Sequence, residues 1–452
     1  MSNVNFWGNE MEEIDSRPSE GEQIEQSKPE LKTFWPVWTG FGEFTDYEGK
    51  FHRGKTLWDW LELLIIPIVL AAGALFINYS LTQQGYENAE KNAQIEREIN
   101  LENHREALLQ SYLDKMGEIL LDLDLGQNIN NDSTELRSLA QARTFTTIRQ
   151  LDGPRKNIII EFLYETRLIT PTKSNQPYIN LQRVDLSNSN WVSKNLNYID
   201  LSGADFDHAN ISGSNFNFSN FSFTWLDTAS LMGSNFIGAD LSSSTFSNAS
   251  LMGVNFSHAN LMEADFYKAN MWLTTMVGAN LTYAYPVEAV LKNCDLSCVT
   301  MDQSNFEKAA LSGTKISYAN IDQSYFHHAK MEGVSLYQAE VVDSCFWRAT
   351  LSEADFRYSV ISRSDLSETE MQKADFSNSV LSEVIFKYSD LSDSKFGNAS
   401  LYKVDFENAN LQNADFTGAD LTESDFTKAN LRGAIITDEQ LSQAASIEGI
   451  KR

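Results

Sequence analysis

Ala259-Asn260-Leu261-Met262-Glu263-Ala264-Asp265-Phe266-Tyr267-Lys268-Ala269-Asn270-Met271 repeats a phrase of five residues, and the beat holds from about Asn180 to Ala434. A bulky apolar side chain returns at every fifth position: Leu201, Phe206, Ile211, Phe216, Phe221, Leu226, Leu231 and onward to Phe426 and Leu431. Two residues ahead of each stands something small, as in Ala204, Ser214, Ala264, Ala354, Ala374 and Ala414, with Val254 and Val299 among the larger members. No insertion breaks the phase.

A period of five fits neither an amphipathic helix, which wants about 3.6, nor a flat strand, which wants about 2. The chain must therefore turn a corner once per phrase. With four phrases per coil, the bulky and the small residue both point inward, and each stacks on its equivalent one coil later. Such a solenoid buries a continuous core only by stacking, and each unit touches only its neighbours. At ~4.8 Å between stacked strands, about thirteen coils make a rod of ~60 Å. The Asp or Asn ahead of each bulky residue (Asp205, Asn210, Asn255, Asn260, Asp415, Asp425) is expected to bond local backbone at the bends.

These units resemble those of the pentapeptide repeat proteins. Ala-Asn-Leu stands at 259–261, 279–281, 409–411 and 429–431, and Ala-Asp-Phe at 204–206, 264–266, 354–356, 374–376 and 414–416. The resemblance implies a mainly β fold, a right-handed quadrilateral β-helix over residues 180–436. It implies little about function, because one fold hosts many functions.

The chain has 452 residues and a net charge of −27, which argues against direct contact with nucleic acid, since phosphates would be repelled. Three cysteines do not make a disulfide framework. Cys294 falls in an inward small-residue slot, whereas Cys298 and Cys345 fall at outward positions and read as plain surface thiols.

Residues 1–50 read as a disordered acidic tail that carries an aromatic run, Phe34-Trp35-Pro36-Val37-Trp38-Thr39-Gly40-Phe41. Leu57 to Leu81 follows, apolar without interruption from Leu63 to Ile77. With Trp58 and Trp60 at one interface and Tyr79 at the other, the stretch is expected to cross a bilayer as a retained single span. Trp35 and Trp38 are further candidates for the headgroup level. The competing reading is a buried helix of a soluble protein. Lys50, Arg53 and Lys55 flank the near end, and the far side has no basic residue until Lys91, so the positive-inside rule places the rod outside. The segment Leu57-Trp58-Asp59-Trp60-Leu61-Glu62-Leu63-Leu64-Ile65-Ile66-Pro67 resembles the anchor of membrane-bound cyanobacterial pentapeptide proteins. That resemblance implies a cytoplasmic rod, and this is the side adopted here.

Residues 88–171 read as a small helical neck covering the near end of the rod. Leu109, Leu113, Met116 and Leu120 make one apolar stripe. A second helix is expected from Asp132 or Ser133 through Leu139, Ala142, Phe145, Ile148 and Leu151. Asp152-Gly153 should turn the chain into a third helix, which opens with Pro154 and carries Ile158, Ile159, Phe162, Leu163 and Leu168. Stretches of this neck, including Arg149-Gln150-Leu151-Asp152-Gly153, also resemble the membrane-bound relatives. Thr437-Asp438-Glu439-Gln440 has the form of a capping box, so residues 437–452 are expected as a capping helix, to about Ala445, and a tail.

No catalytic constellation is legible. His208 and His328 share a column but lie six coils apart, ~29 Å. Neither a Cys/His metal cluster, nor a phosphate-binding glycine loop, nor a nucleophile motif is present. The expectation is a non-enzyme without cofactor, metal or small-molecule substrate. The outward positions are informative where they stop being polar. Phe223, Trp225, Tyr283, Tyr285 and Tyr325 fall in two adjacent columns, with Tyr267 and Trp347 on the next side. Met232, Met252 and Trp272 stack in another column beside Leu273. Scattered exposed aromatics are ordinary, but aromatic and Met enrichment also marks interfaces. Pro286 replaces a core residue between these patches and should kink or bulge the coil.

The sequence thus describes a scaffold held in the membrane by residues 57–81 and offering its rod to a protein partner, itself membrane-bound. A regulatory subunit of a transporter or photosynthetic complex is suggested by family habit alone. The alternative is an acidic DNA mimic that protects or inhibits a DNA-binding enzyme such as a topoisomerase.

Overall fold

A computed structural model describes residues 44–52, 54, 57–125, 133–170 and 177–452. Most of the expected tail, with Trp35 and Trp38, lies outside these residues, as does Asp132. Contacts divide the chain into two units, residues 1–97 and 98–452.

In the first unit, the end of the expected tail is ordered. Strands β1 (Phe44–Thr45) and β2 (Phe51–His52) pair antiparallel. The Asp46 carboxylate closes their turn by accepting from the Glu48 and Lys50 amides at 3.1 and 2.9 Å. Helix α1 (Leu57–Leu125) then runs without a break, so span and first neck helix are one element. Nothing between residues 82 and 88 is strong enough to stop it, since Gly85 costs only ~1 kcal/mol in a helix. The helix is long and apolar enough to cross a membrane, and none of its apolar window is buried against the chain. A helix buried in the core of this chain would be covered, and this one is not.

In the second unit, the end of α1 packs with α2 (Ser133–Ile148) and α3 (Gly153–Glu165). The buried stripe of α1 is Leu109, Tyr112, Met116 and Ile119, while Leu113 and Leu120 flank it. Ile148, Leu151, Ile159, Leu163 and Leu168 are buried as expected, but in α2 Ala140 and Thr144 face inward where Leu139 and Ala142 were expected, and in α3 Ile160 is buried while Ile158 is exposed. The polar Thr144 faces inward because its hydroxyl has two partners, the Tyr112 hydroxyl at 2.9 Å and the Ala140 carbonyl at 2.8 Å.

Helix α3 sits directly on the first coil. Asp152 caps its N-terminus, and a Cβ on Gly153 would lie 2.1 Å from the Asn188 carbonyl oxygen, so only glycine fits this approach. Buried Lys156 reaches Asp185 at 2.9 Å, and Lys194 reaches Glu161 of α3 at 2.7 Å. Trp191, which heads the inward column continued by Ile211, Leu231 and Leu251, is buried edge-on against Phe206 at 5.2 Å. Arg155 gathers Glu102, Glu106 and Asp152 within 3.1 Å, tying α1 to α3.

From Asp185 onward the rod is a parallel solenoid with a register of twenty residues: Asp185 pairs with Asp205, Asp205 with Trp225, and so to Asp405 with Asp425. Each phrase closes a turn, as in Ala204 N–H to the Leu201 carbonyl at 3.0 Å. The third residue of that turn adopts positive φ, as at His208 (58°) and Gly203 (67°). The inward amide bonds the next coil, for example Leu201 N–H to the Asn220 carbonyl at 2.8 Å. The Asx positions behave as expected: Asp205 accepts from the Asp207 amide at 2.9 Å and Asp425 from the Thr427 amide at 2.8 Å.

The core combines two columns rich in Phe, two columns mainly of Leu, Ile and Met, and their small companions. Phe306, Phe326 and Phe346 stack at 5.0 and 4.6 Å, and Phe376, Phe396 and Phe416 at 5.0 and 4.9 Å. Many inward hydroxyls bond a carbonyl of the adjacent coil, as when Ser244 donates to the Phe221 carbonyl at 2.7 Å, whereas those of Ser189 and Ser394 are buried without a partner. Cys294 is buried in the small slot, and burial pushes its thiol up to about 12. On one side the bridges lengthen into five parallel strands, β3 (Asn320–Asp322), β4 (Glu340–Val342), β5 (Val360–Ser362), β6 (Val380–Ser382) and β7 (Ser400–Tyr402). Pro286 makes no bulge. It removes one rung, between Tyr285 and Asn305, and the register resumes with Val290 and Ala310. The missing amide is the whole perturbation, because buried Pro286 still fills its core slot.

The far end differs from the expected cap and tail. Helix α4 (Asp438–Leu441) has the capping box but is only four residues long. The chain then rejoins the solenoid, pairing Ser446 with Asp425 and Lys451 with Asn430. One extra residue in the register accommodates α4.

Candidate interaction surfaces

The turn geometry leaves three positions of each phrase outside: the residue before the bulky one and the two after it. Phe223 and Trp225 are 63% and 55% exposed, and Tyr283, Tyr285 and Tyr325 are exposed in the same two columns. Tyr267 and Trp347 are half-buried at the next corner. Each lies under a cation, with Lys268 Nζ 4.8 Å from the Tyr267 ring and Arg348 4.2 Å from the Trp347 ring. In the second stripe Met232, Trp272 and Leu273 are exposed and Met252 is half-buried. The two stripes occupy different columns, so they are separate surfaces. Of the membrane-interface candidates within the described residues, Trp58, Trp60 and Tyr79 are all exposed on α1.

Two further apolar groups emerge in the structure. Tyr198 and Phe218 stack at 5.4 Å on one corner. Higher on the same corner Tyr318, Tyr337 and Tyr358 meet edge to face at 5.8 and 5.6 Å, and exposed Val360 and Val380 continue the patch onto β5 and β6. The signal was present as a shared column, since 198, 218, 318 and 358 differ by multiples of twenty.

The acidic rod is less uniform than its net charge. Ion pairs climb it one coil at a time, Arg348 to Glu368 and Arg363 to Asp343 at 2.7 Å, and Lys373 to Glu353 at 3.2 Å. Exposed pairs like these add little stability, but they interrupt the acidic surface. Repulsion concentrates elsewhere. Burial first, then the Asp205 and Asp227 carboxylates, raises the Asp207 carboxyl; burial and Asp322 raise that of Asp302.

Cys298 is exposed, but Cys345 is not the plain surface thiol expected from its position. It is half-buried, its sulfur 2.9 Å from His327 Nε2 and 4.0 Å from Asp365 Oδ2. The residue after one bulky position and the residue before another, one coil on, share a surface, and their spacing of eighteen hides the contact. Among the described residues, no three of His, Cys, Asp and Glu converge to hold a metal ion as they stand.

A family model described as pentapeptide repeats matches residues 179–222, 195–231, 214–257, 229–266, 276–313, 287–320, 304–340, 361–398 and 399–438, together about half of the chain. HetL, a pentapeptide repeat protein involved in heterocyst differentiation regulation from the cyanobacterium Nostoc sp., is 20% identical over 65% of this chain and 92% of its own, with a TM-score of 0.22. Rfr23, a pentapeptide repeat protein from the cyanobacterium Cyanothece, is 28% identical over 20% of this chain and 58% of its own, with a TM-score of 0.17. Full-length QnrB1, a plasmid-mediated fluoroquinolone resistance protein, is 19% identical over 47% of this chain and 93% of its own, with a TM-score of 0.17. No curated protein is a significant match.

Proposed function

Since the chain belongs to the pentapeptide repeat family, we propose that it is a membrane-anchored, non-enzymatic scaffold or regulatory subunit whose rod binds a membrane protein or complex. The observation that carries this reading is the pairing of an uncovered apolar helix with a solenoid that exposes large aromatics. Residues 57–81 cross the bilayer, with Trp58, Trp60 and Tyr79 at the headgroups. The rod lies on the cytoplasmic side. Phe223, Trp225, Tyr267, Tyr283, Tyr285, Tyr325 and Trp347 form one docking stripe, and Met232, Met252, Trp272 and Leu273 the other. Aromatic side chains supply large contact area at small entropy cost, which is why they dominate binding energy at interfaces. The ion pairs that break up the acidic surface weigh against the DNA-mimic alternative.

Alkaline extraction of native membranes is expected to leave the intact chain in the pellet and to release a chain lacking 57–81; release of both rejects the anchor. Affinity capture from solubilised membranes is expected to lose its partners with Trp225→Ser plus Trp272→Ser, and unchanged partners reject these stripes. Protease added to sealed right-side-out vesicles should spare the rod, and its digestion places the rod outside.

A further inference from the structure

We propose that the side of the rod built by β3 to β7 binds a second copy of this chain, face to face and antiparallel, about a two-fold axis passing between Val360 and Val380. The five strands stack in strict register, so their outward positions form straight rows twenty residues apart. The middle row reads Asn320, Glu340, Val360, Val380, Ser400 and Asp420, with the two exposed valines at its centre. The row at the corner after each strand alternates in charge: Asp343, Arg363, Glu383, Lys403, Glu423. The chain satisfies part of this row itself, Arg363 to Asp343 at 2.7 Å and Lys403 to Glu423 at 3.9 Å. Glu383 has no ion pair among the described residues.

A two-fold axis lying in the contact plane, across the rod, reverses the rows of one copy against the other and keeps each corner over its own equivalent. With the axis between Val360 and Val380, each valine meets the other valine of the second copy. The same operation sets Arg363 against Glu383 and Asp343 against Lys403, so opposite charges face each other along that edge, and Glu383 gains a cation. On the other corner Tyr337 meets Gly397 and Tyr318 meets Gly418, a bulky ring over a glycine each time. The alternation also rejects other registers. An axis through Val360 sets Arg363 against Arg363, and one through Val380 sets Glu383 against Glu383. A shift of one full coil restores the charges but places Val360 against Glu340, or Val380 against Ser400. A parallel pair, with its axis along the rod, sets the charged corner against the tyrosine corner and uses none of these complements. None of these residues belongs to the two docking stripes, and the pairing does not rest on the scaffold reading.

Cross-linking of the full chain in intact expressing cells tests the pairing. Two differently tagged copies, one with Asn320→Cys and the other with Asp420→Cys, both also carrying Cys298→Ser and Cys345→Ser, are treated with a short, membrane-permeable bismaleimide. Facing sheets pack about 10 Å apart, so these two positions come within reach in the antiparallel pair, whereas the two copies of residue 320 are then ~24 Å apart along the rod. The expected result is a covalent dimer from the mixture and none from either variant alone. Glu383→Lys and Arg363→Glu should each lower its yield roughly tenfold, and the two substitutions together should restore it. The melting temperature of each variant should match the parent, since all these positions are outward, so a lost dimer is not a lost fold. The proposal is overturned by no dimer from the mixture, by a dimer from Asn320→Cys alone, the mark of a parallel pair, or by a charge swap that fails to restore the yield.

Discussion

Replacing Phe326 by alanine should open the rod locally and leave its ends untouched. Phe326 is fully buried and stacks on Phe306 at 5.0 Å and Phe346 at 4.6 Å. Phe→Ala in a packed core costs ~3–5 kcal/mol, a range that includes the loss of stacked ring contacts. Taking ~4 kcal/mol, the equilibrium for local opening shifts by about a thousandfold. In a globular core that loss would spread over the whole domain. In a solenoid it is confined, because each coil bonds only the coils on either side. Hydrogen–deuterium exchange read by mass spectrometry separates the cases. Peptides covering 301–350 should exchange far faster, while those covering 201–250 and 401–430 keep the parental rate. Equal acceleration along the whole rod, or no change at 301–350, would refute the stacking argument.

Ala264→Leu overfills a small inward slot and should cost at least ~1–3 kcal/mol, seen as a lower melting temperature, whereas outward Met262→Leu should stay within ~0.5 kcal/mol. Gly153→Ala places a Cβ against the Asn188 carbonyl and should loosen the docking of α3 by ~1–3 kcal/mol, visible as faster exchange at 153–165 with the coils beyond Phe256 unaffected. Asp302→Asn should stabilise the rod at neutral pH. Burial and Asp322 hold the Asp302 carboxyl above its ordinary 3.8, so ionisation disfavours folding above the folded-state value and the penalty is gone below 3.8. The gain in denaturation midpoint over the parent should therefore vanish as pH falls through that window, and a gain independent of pH would contradict the assignment.

The solenoid was legible because every coil repeats the same instruction. The beat places Leu261 and Phe266 inward and Asn260 and Asp265 at the bends without any long-range information, and one error would show twenty residues later. The neck lacked that redundancy. Its apolar residues occur in adjacent runs, such as Ile158-Ile159-Ile160 and Leu108-Leu109, so several helical faces were equally apolar. Which face turned inward was decided by the first coil, through Lys156, Lys194 and the close approach at Gly153. The run-on of α1 through Gly85 was missed because a composition change there looked like a boundary. The outward aromatics were read correctly as columns, but contacts between columns were not. Cys345 meets His327 across a spacing of eighteen, and Tyr318 meets Tyr337 across nineteen, because side chains lean from one coil to the next.

The scaffold reading is tested most directly by a photo-crosslinking side chain placed singly at position 225, 272 or 393 and activated in intact membranes. Phe223 and Trp225, and Trp272 with Leu273, are the exposed aromatic and apolar sites, whereas Asp393 sits on a polar stretch of the rod. The account predicts a discrete adduct with a membrane protein from position 225, 272 or both, and none from 393. The same adducts from all three positions, or from none, would contradict it.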